Sequence, residues 1–181
     1  MELGTGDETL EVPWAASGDG PRYLDLKRQP ELLVQVEEAQ QFSELGEFLA
    51  AVNSKASPFE TAKCDAWSTT EMRPEEEILG AAWKFGSYVD LLFASEQERF
   101  SFEEHEQLAR RVAQLLRRVP EIPAAAEFIV RRCHYHAGDV SREGFYITFY
   151  LFGYGGEQEQ ARRQCAIGLK LVENALKQRS M

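Results

Sequence analysis

The tetrapeptide Cys133-His134-Tyr135-His136 gathers more chemically capable side chains than any other stretch of the chain. In an extended strand His134 and His136 would point to one face, two residues apart, as some zinc or iron ligand pairs do. Cys133 supplies a soft donor beside them, and Asp139, Glu143 or Cys64 could complete a set. This grouping points to a zinc site, or to a small Cys/His-dependent enzyme built on 133–136. The surroundings weigh against it: there is no HExxH, no CxxC, and the third histidine, His105, stands alone. The expectation is therefore no cofactor, with zinc as the alternative.

Cys64 and Cys133 are also conceivable nucleophiles, because Arg131, Arg132 and His134 could lower a nearby thiol pKa. No cysteine-hydrolase signature accompanies them, and Cys64 sits between Ala62 and Ala66 in a small-residue spacing. Buried structural thiols are the expectation for these widely spaced cysteines, and a disulfide framework is not. Four arginine pairs offer planar forks for carboxylate or phosphate: Arg110-Arg111, Arg117-Arg118, Arg131-Arg132 and Arg162-Arg163. On a helix neighbours point about 100° apart, so each helical pair is expected to salt-bridge the chain's own acids or a partner. The sequence Gly153-Tyr154-Gly155-Gly156 precedes a helix as a phosphate loop would, but the acids Glu157 and Glu159 follow it. It reads as a plain strand-to-helix turn. The acidic run Glu71, Glu75, Glu76, Glu77 lacks an EF-hand pattern and reads as a solvated loop or helix start.

Three helices and two hairpins must position these groups. Leu45, Phe48, Leu49 and Val52 recur at helical spacing behind Ser43, a candidate cap. Ser101-Phe102-Glu103-Glu104 is a capping-box pattern opening a helix that Pro120 ends. A last helix spans 157–177, with Ala161, Cys165, Leu169, Val172 and Leu176 as its buried face. The aromatic run 145–152 is a strand by propensity, paired with 127–136 across the polar connection 137–144. A second hairpin joins 61–69 to 83–93.

The predicted fold is α+β: a four-stranded antiparallel sheet from two β-hairpins, each followed by an amphipathic helix on one face. An N-terminal helical segment precedes this strand-strand-helix repeat. Pro74 followed by three glutamates also permits a helix over 74–94, and with it a mostly α-helical alternative. Residues 1–21 read as a flexible acidic tail and 22–181 as one globular domain. The sheet face away from the helices would carry Tyr146, Thr148, Tyr150 and Phe152, covered either by 24–53 or by a second copy.

The formal charge is −10, unevenly spread: residues 1–98 carry 20 acidic and 7 basic side chains, residues 99–181 carry 10 and 13. Nucleic-acid binding wants a concentrated basic face and is not expected. No run of about 20 apolar residues is present for a membrane span, and the N-terminus lacks a signal-peptide pattern, so a soluble cytoplasmic protein is expected. The order helix, hairpin, helix, hairpin, helix, together with the acidity, resembles the small acidic dimeric secretion chaperones. That resemblance and the lack of any complete catalytic constellation lead to one expectation. The chain is read as a non-enzymatic, bacterial-type protein-interaction module, chaperone-like or immunity-like, binding a protein partner or itself as a homodimer. Arg131, Arg132, Tyr146 and Tyr150 are the expected partner-binding residues.

Overall fold

Alternating apolar residues in four long segments build the sheet, and three amphipathic helices cover one side of it. The structure, a computed structural model, describes residues 9–14, 22–77 and 80–178. In chain order the elements are β1 (Leu10–Val12), a 3-10 turn (Pro30–Gln35), α1 (Glu37–Gln41), α2 (Ser43–Val52), β2 (Phe59–Thr69), β3 (Trp83–Phe93), α3 (Glu96–Arg99), α4 (Phe102–Leu116), β4 (Ala124–Ala137), β5 (Val140–Gly155) and α5 (Gln158–Lys177). The strands form one mixed sheet in the order β1-β4-β5-β3-β2. β1 lies parallel to β4, and every other pairing is antiparallel. The fold is α+β, with a fifth strand that the hairpin pattern did not contain.

That strand, β1, falls within the segment expected to be a tail. Leu10 and Val12 are both buried beside Cys133 and Tyr135. Most of the remaining tail expectation, residues 1–8 and 15–21, lies outside the described residues. The helical alternative for 74–94 is overturned: Trp83–Phe93 is an eleven-residue strand flanked by β2 on one side and β5 on the other. Here Val89, Leu91 and Phe93 each go to the helix side, and β-branched and aromatic residues favour that extended packing over the rival helical face. Residues 74–76 form a turn.

The polar connection expected over 137–144 is also shorter than read. β4 and β5 keep an unbroken register from Ala124↔Gly153 to Ala137↔Val140, leaving only Gly138 and Asp139 in the turn. Gly138 has φ +61°, which a two-residue hairpin requires and glycine allows without strain.

The main core lies between the sheet and the helices. Ile147, Phe149 and Leu151 of β5 and Phe85, Val89 and Leu91 of β3 meet Leu45, Phe48 and Leu49 of α2 and Ala161, Cys165, Leu169 and Val172 of α5. Phe48 touches Phe149 edge-on with ring centroids 5.3 Å apart, and Phe42 touches Phe85 at 4.9 Å. The segment 24–53 therefore covers the same side as α5. It does not cover the opposite face, as one of the two expectations had it.

α5 approaches the sheet through glycines. A Cβ on Gly153 would fall 2.1 Å from the Ala161 carbonyl oxygen and 2.3 Å from the Cys165 amide nitrogen. The glycine run before α5 thus serves close packing of backbone on backbone. At α4, Ser101 caps as expected, its Oγ accepting from the Glu104 amide at 3.3 Å. Ser43 is instead the first residue of α2, with Phe42 in the cap position.

Candidate functional site

Strand alternation decides which of the chemically capable residues can meet. In β4 the odd residues Glu127, Ile129, Arg131, Cys133 and Tyr135 share one face with Tyr146, Thr148, Tyr150, Phe152 and Tyr154 of β5. The even residues Phe128, Val130, Arg132, His134 and His136 share the helix side. Cys133 therefore points away from both histidines and is fully buried among Leu10, Val12, Leu92 and Tyr146.

His134 and His136 do converge, on the carboxylate of Glu11. His136 Nε2 hydrogen-bonds to Glu11 Oε2, and His134 Nδ1 lies 3.7 Å from Glu11 Oε1. The parallel register Glu11↔His134 produces this arrangement. Among the described residues no group of three His, Cys, Asp or Glu side chains is placed to hold a metal ion. The thiols are poor nucleophiles at neutral pH, because burial pushes Cys64, Cys133 and Cys165 each up to about 12.

The four expected partner-binding residues do not form one surface. Arg132 is exposed on the helix side, 3.8 Å from Glu143. Tyr146 is buried under the second, smaller core. Arg131 and Tyr150 share the helix-free face and are both half-buried.

That face is where the sheet is least covered. At one end the β2–β3 connection closes over Tyr154: Glu76 accepts from Tyr154 Oη (2.7 Å), Lys84 Nζ (2.8 Å) and the Arg73 amide (2.7 Å). Burial alone would raise the Glu76 carboxyl, but these donors outweigh it and hold it down to about 2. Glu76 is thus a buried hub within a run expected to be solvated. At the other end Tyr135 and Tyr146 are buried beside Leu10 and Val12 against Trp14, Tyr23 and Phe100, and Arg99 of α3 lies over the Tyr135 ring at 5.0 Å.

Between these two covers lies a ladder of four half-buried aromatic rings. Tyr88 and Tyr150 face each other with centroids 5.6 Å apart, and Tyr150 and Phe152 are stacked at 6.3 Å with planes 4° apart. Trp67 closes the group, 6.2 Å from Phe152 and 6.5 Å from Tyr88. The cross-strand register places Asp65, Tyr88, Tyr150 and Glu127 in one row, with an exposed carboxylate at each end. Beneath this row Asp90 is buried, accepting from Thr148 Oγ1 at 2.6 Å. Desolvation raises its carboxyl to about 6, against the smaller opposing effects of Thr148, Lys63 and Arg131.

A cleft of about 640 Å³ adjoins the ladder at the β2 edge. Trp14, Leu26, Val36, Cys64, Asp65 and Tyr88 line it, so Asp65 and Tyr88 belong to both. Trp67, Tyr88 and Phe152 were not singled out as binding residues from sequence. Aromatic enrichment of the strands was visible, but which rings remain uncovered depends on the side taken by 24–53.

No protein-family model matches the chain, and no curated protein or solved structure matches it either. Among the described residues no helix is long and apolar enough to cross a membrane.

Proposed function

We propose that this protein is a non-enzymatic interaction module, chaperone-like or immunity-like, that binds a polypeptide partner on the helix-free face of its sheet. The partner presents an extended segment carrying Lys or Arg beside apolar side chains. The aromatic ladder Trp67-Tyr88-Tyr150-Phe152, half-buried and, among the described residues, with no helix over it, carries the reading. Rings of this kind take cations on their faces and bury apolar groups at low entropic cost. Asp65 and Glu127 bracket the ladder with negative charge, and the acidic front half of the chain extends that field toward a basic partner.

The same reading takes the protein as soluble and cytoplasmic, with one globular domain to which Leu10–Val12 add a strand. It treats β2-β3-α4 and β4-β5-α5 as two copies of a strand-strand-helix unit. Catalysis through residues 133–136 is less favoured, because Cys133 and the two histidines lie on opposite faces and the thiol is held protonated. Any metal held by the histidines would do without Cys133.

Selection of displayed random peptides on the purified protein tests the reading. Enriched peptides should combine Lys or Arg with an aromatic or aliphatic residue, and Tyr150→Ala should weaken them at least about tenfold, as loss of an interface hot spot does. Peptides without basic residues, or unaffected by Tyr150→Ala and Trp67→Ala, would refute it.

A further inference from the structure

The register of the sheet leaves a dip in the helix-free face, and a carboxylate forms its floor. Asp90 of β3 and Thr148 of β5 are paired and short, and both are buried, 5% and 3% exposed. On one side of them stand the Tyr88 and Tyr150 rings, 5.6 Å apart, and on the other Leu92 and Tyr146 pack together. The adjoining strand, β2, is irregular at this point. Thr61 pairs with Leu91 and Cys64 with Val89, so a bulge sets Ala62 and Lys63 together opposite Asp90. Lys63 is exposed, and its Nζ lies over the Trp14 ring at 5.5 Å rather than on the carboxylate.

Asp90 is thus a buried acid without a cation of its own. Oδ1 accepts from Thr148 Oγ1, while Oδ2 takes no hydrogen bond among the described residues. Nor is Oδ2 one of the described side-chain atoms buried without a partner, so it is open to solvent. The groups around it are Lys63 and Asp65 of β2, Tyr88 of β3, Tyr146 and Tyr150 of β5, and Glu127 and Arg131 of β4. Lys63 and Arg131 draw the Asp90 carboxyl down less than burial pushes it up. An ionised carboxylate in such a place costs the fold stability, and acids perturbed in this way cluster at functional sites.

We infer that Asp90 selects lysine in the partner: the lysine stem lies along the Tyr88 and Tyr150 rings, and its ammonium pairs with Asp90 Oδ2. This rests on the partner reading above and names the residue that gives it specificity. Lysine fits better than arginine, since one free oxygen suits a compact ammonium, whereas the guanidinium fork needs both. The four-carbon stem gives the rings apolar contact while the charged end reaches the carboxylate. Binding also moves a proton. Burial raises the carboxyl to about 6, so at pH 5 roughly nine in ten free molecules hold the proton there. The incoming ammonium favours the ionised form and expels that proton. Affinity therefore rises with pH through this window and levels off above it.

Titration calorimetry on the full-length protein tests this with a selected peptide that carries one lysine and no histidine. Versions with norleucine or arginine in place of that lysine serve as controls. Each is measured from pH 5 to 7.5 at fixed ionic strength, in two buffers of different ionisation enthalpy. The lysine peptide should bind about tenfold more tightly at pH 7.5 than at pH 5, and should release about one proton at pH 5. Asp90→Asn, which keeps the acceptor for Thr148, should lose at least about tenfold at pH 7.5 and show neither effect. The norleucine peptide should not distinguish the two proteins, and the arginine peptide should bind more weakly than the lysine one. Lysine binding that Tyr150→Ala weakens but Asp90→Asn leaves intact, pH dependence included, overturns this inference and spares the partner reading. So does a selection that yields arginine peptides alone. Basic peptides that do not bind at all bring down both.

Discussion

The Trp67 indole occupies the space that a side chain on Gly86 would need. A Cβ at Gly86 would lie 2.5 Å from the ring. The two residues are directly paired across β2 and β3, and the absence of a side chain on one lets the other lie against the sheet. This pairing brings Trp67 within contact of both Tyr88 and Phe152 and so completes the ladder.

Gly86→Ala should therefore displace the indole without breaking the strand pairing. We expect a loss of about 1–3 kcal/mol, the usual range for overpacking. Chemical denaturation gives the energy, and tryptophan emission should shift to the red as Trp67 gains water. Unchanged emission and stability would mean that the ring does not rest on Gly86.

Asp90 should make stability fall with rising pH. Its carboxyl is raised from 3.8 to about 6 by burial, so the folded state holds the proton more tightly than the unfolded chain. Its contribution is thus present at low pH and is lost as pH climbs through that window. Asp90→Asn keeps an acceptor for Thr148 and removes the charge. It should be more stable than the wild type by roughly 1–3 kcal/mol at pH 7.5, with the difference vanishing near pH 3.5. Thermal melts of both proteins over that range check the sign.

Glu76 should act in the opposite sense. Its carboxyl is held down to about 2 by Arg73, Lys84 and Tyr154, below the usual 4.5. The stability it contributes is complete above that ordinary value and disappears as pH falls toward 2. Glu76→Gln should cost about 2–4 kcal/mol at pH 7, because Lys84 is left buried beside a neutral group. The gap from wild type should narrow in acid, which paired denaturation curves at pH 7 and pH 2.5 would reveal.

Glu11 ties β1 to the two histidines from a partly exposed position. Exposed ion pairs contribute little to global stability, on the order of 0–1 kcal/mol. Glu11→Ala should leave the melting temperature nearly unchanged while speeding amide exchange at Leu10 to Val12. Uniform loss of protection across the sheet would instead make β1 part of the global folding unit.

Much of this architecture was legible because local pattern and burial agree. The run Phe145 to Phe152 has strand-forming residues on both faces, and Ser101 with Glu104 marks the start of α4. β1 was not legible: three residues carry too short an alternation to register, and their pairing with Cys133 to Tyr135 spans more than a hundred residues. The side covered by 24–53 was equally hidden. It depends on Phe42 and Phe48 meeting Phe85 and Phe149, contacts that periodicity within one segment does not encode. The site suffered most from this. Tyr150 could be named from the sequence, but its neighbours Trp67 and Tyr88 come from the other hairpin. The chemically rich tetrapeptide drew attention to 133–136 instead, where alternation divides Cys133 from the histidines.

The most direct test of the binding account is chemical-shift mapping of the full-length protein titrated with a selected basic, aromatic-bearing peptide. The account predicts that the largest shifts fall on Trp67, Tyr88, Tyr150 and Phe152 and on the adjoining Asp65, weakening as salt is raised. Shifts confined to the exposed sides of α4 and α5, with the four rings unmoved, would contradict it.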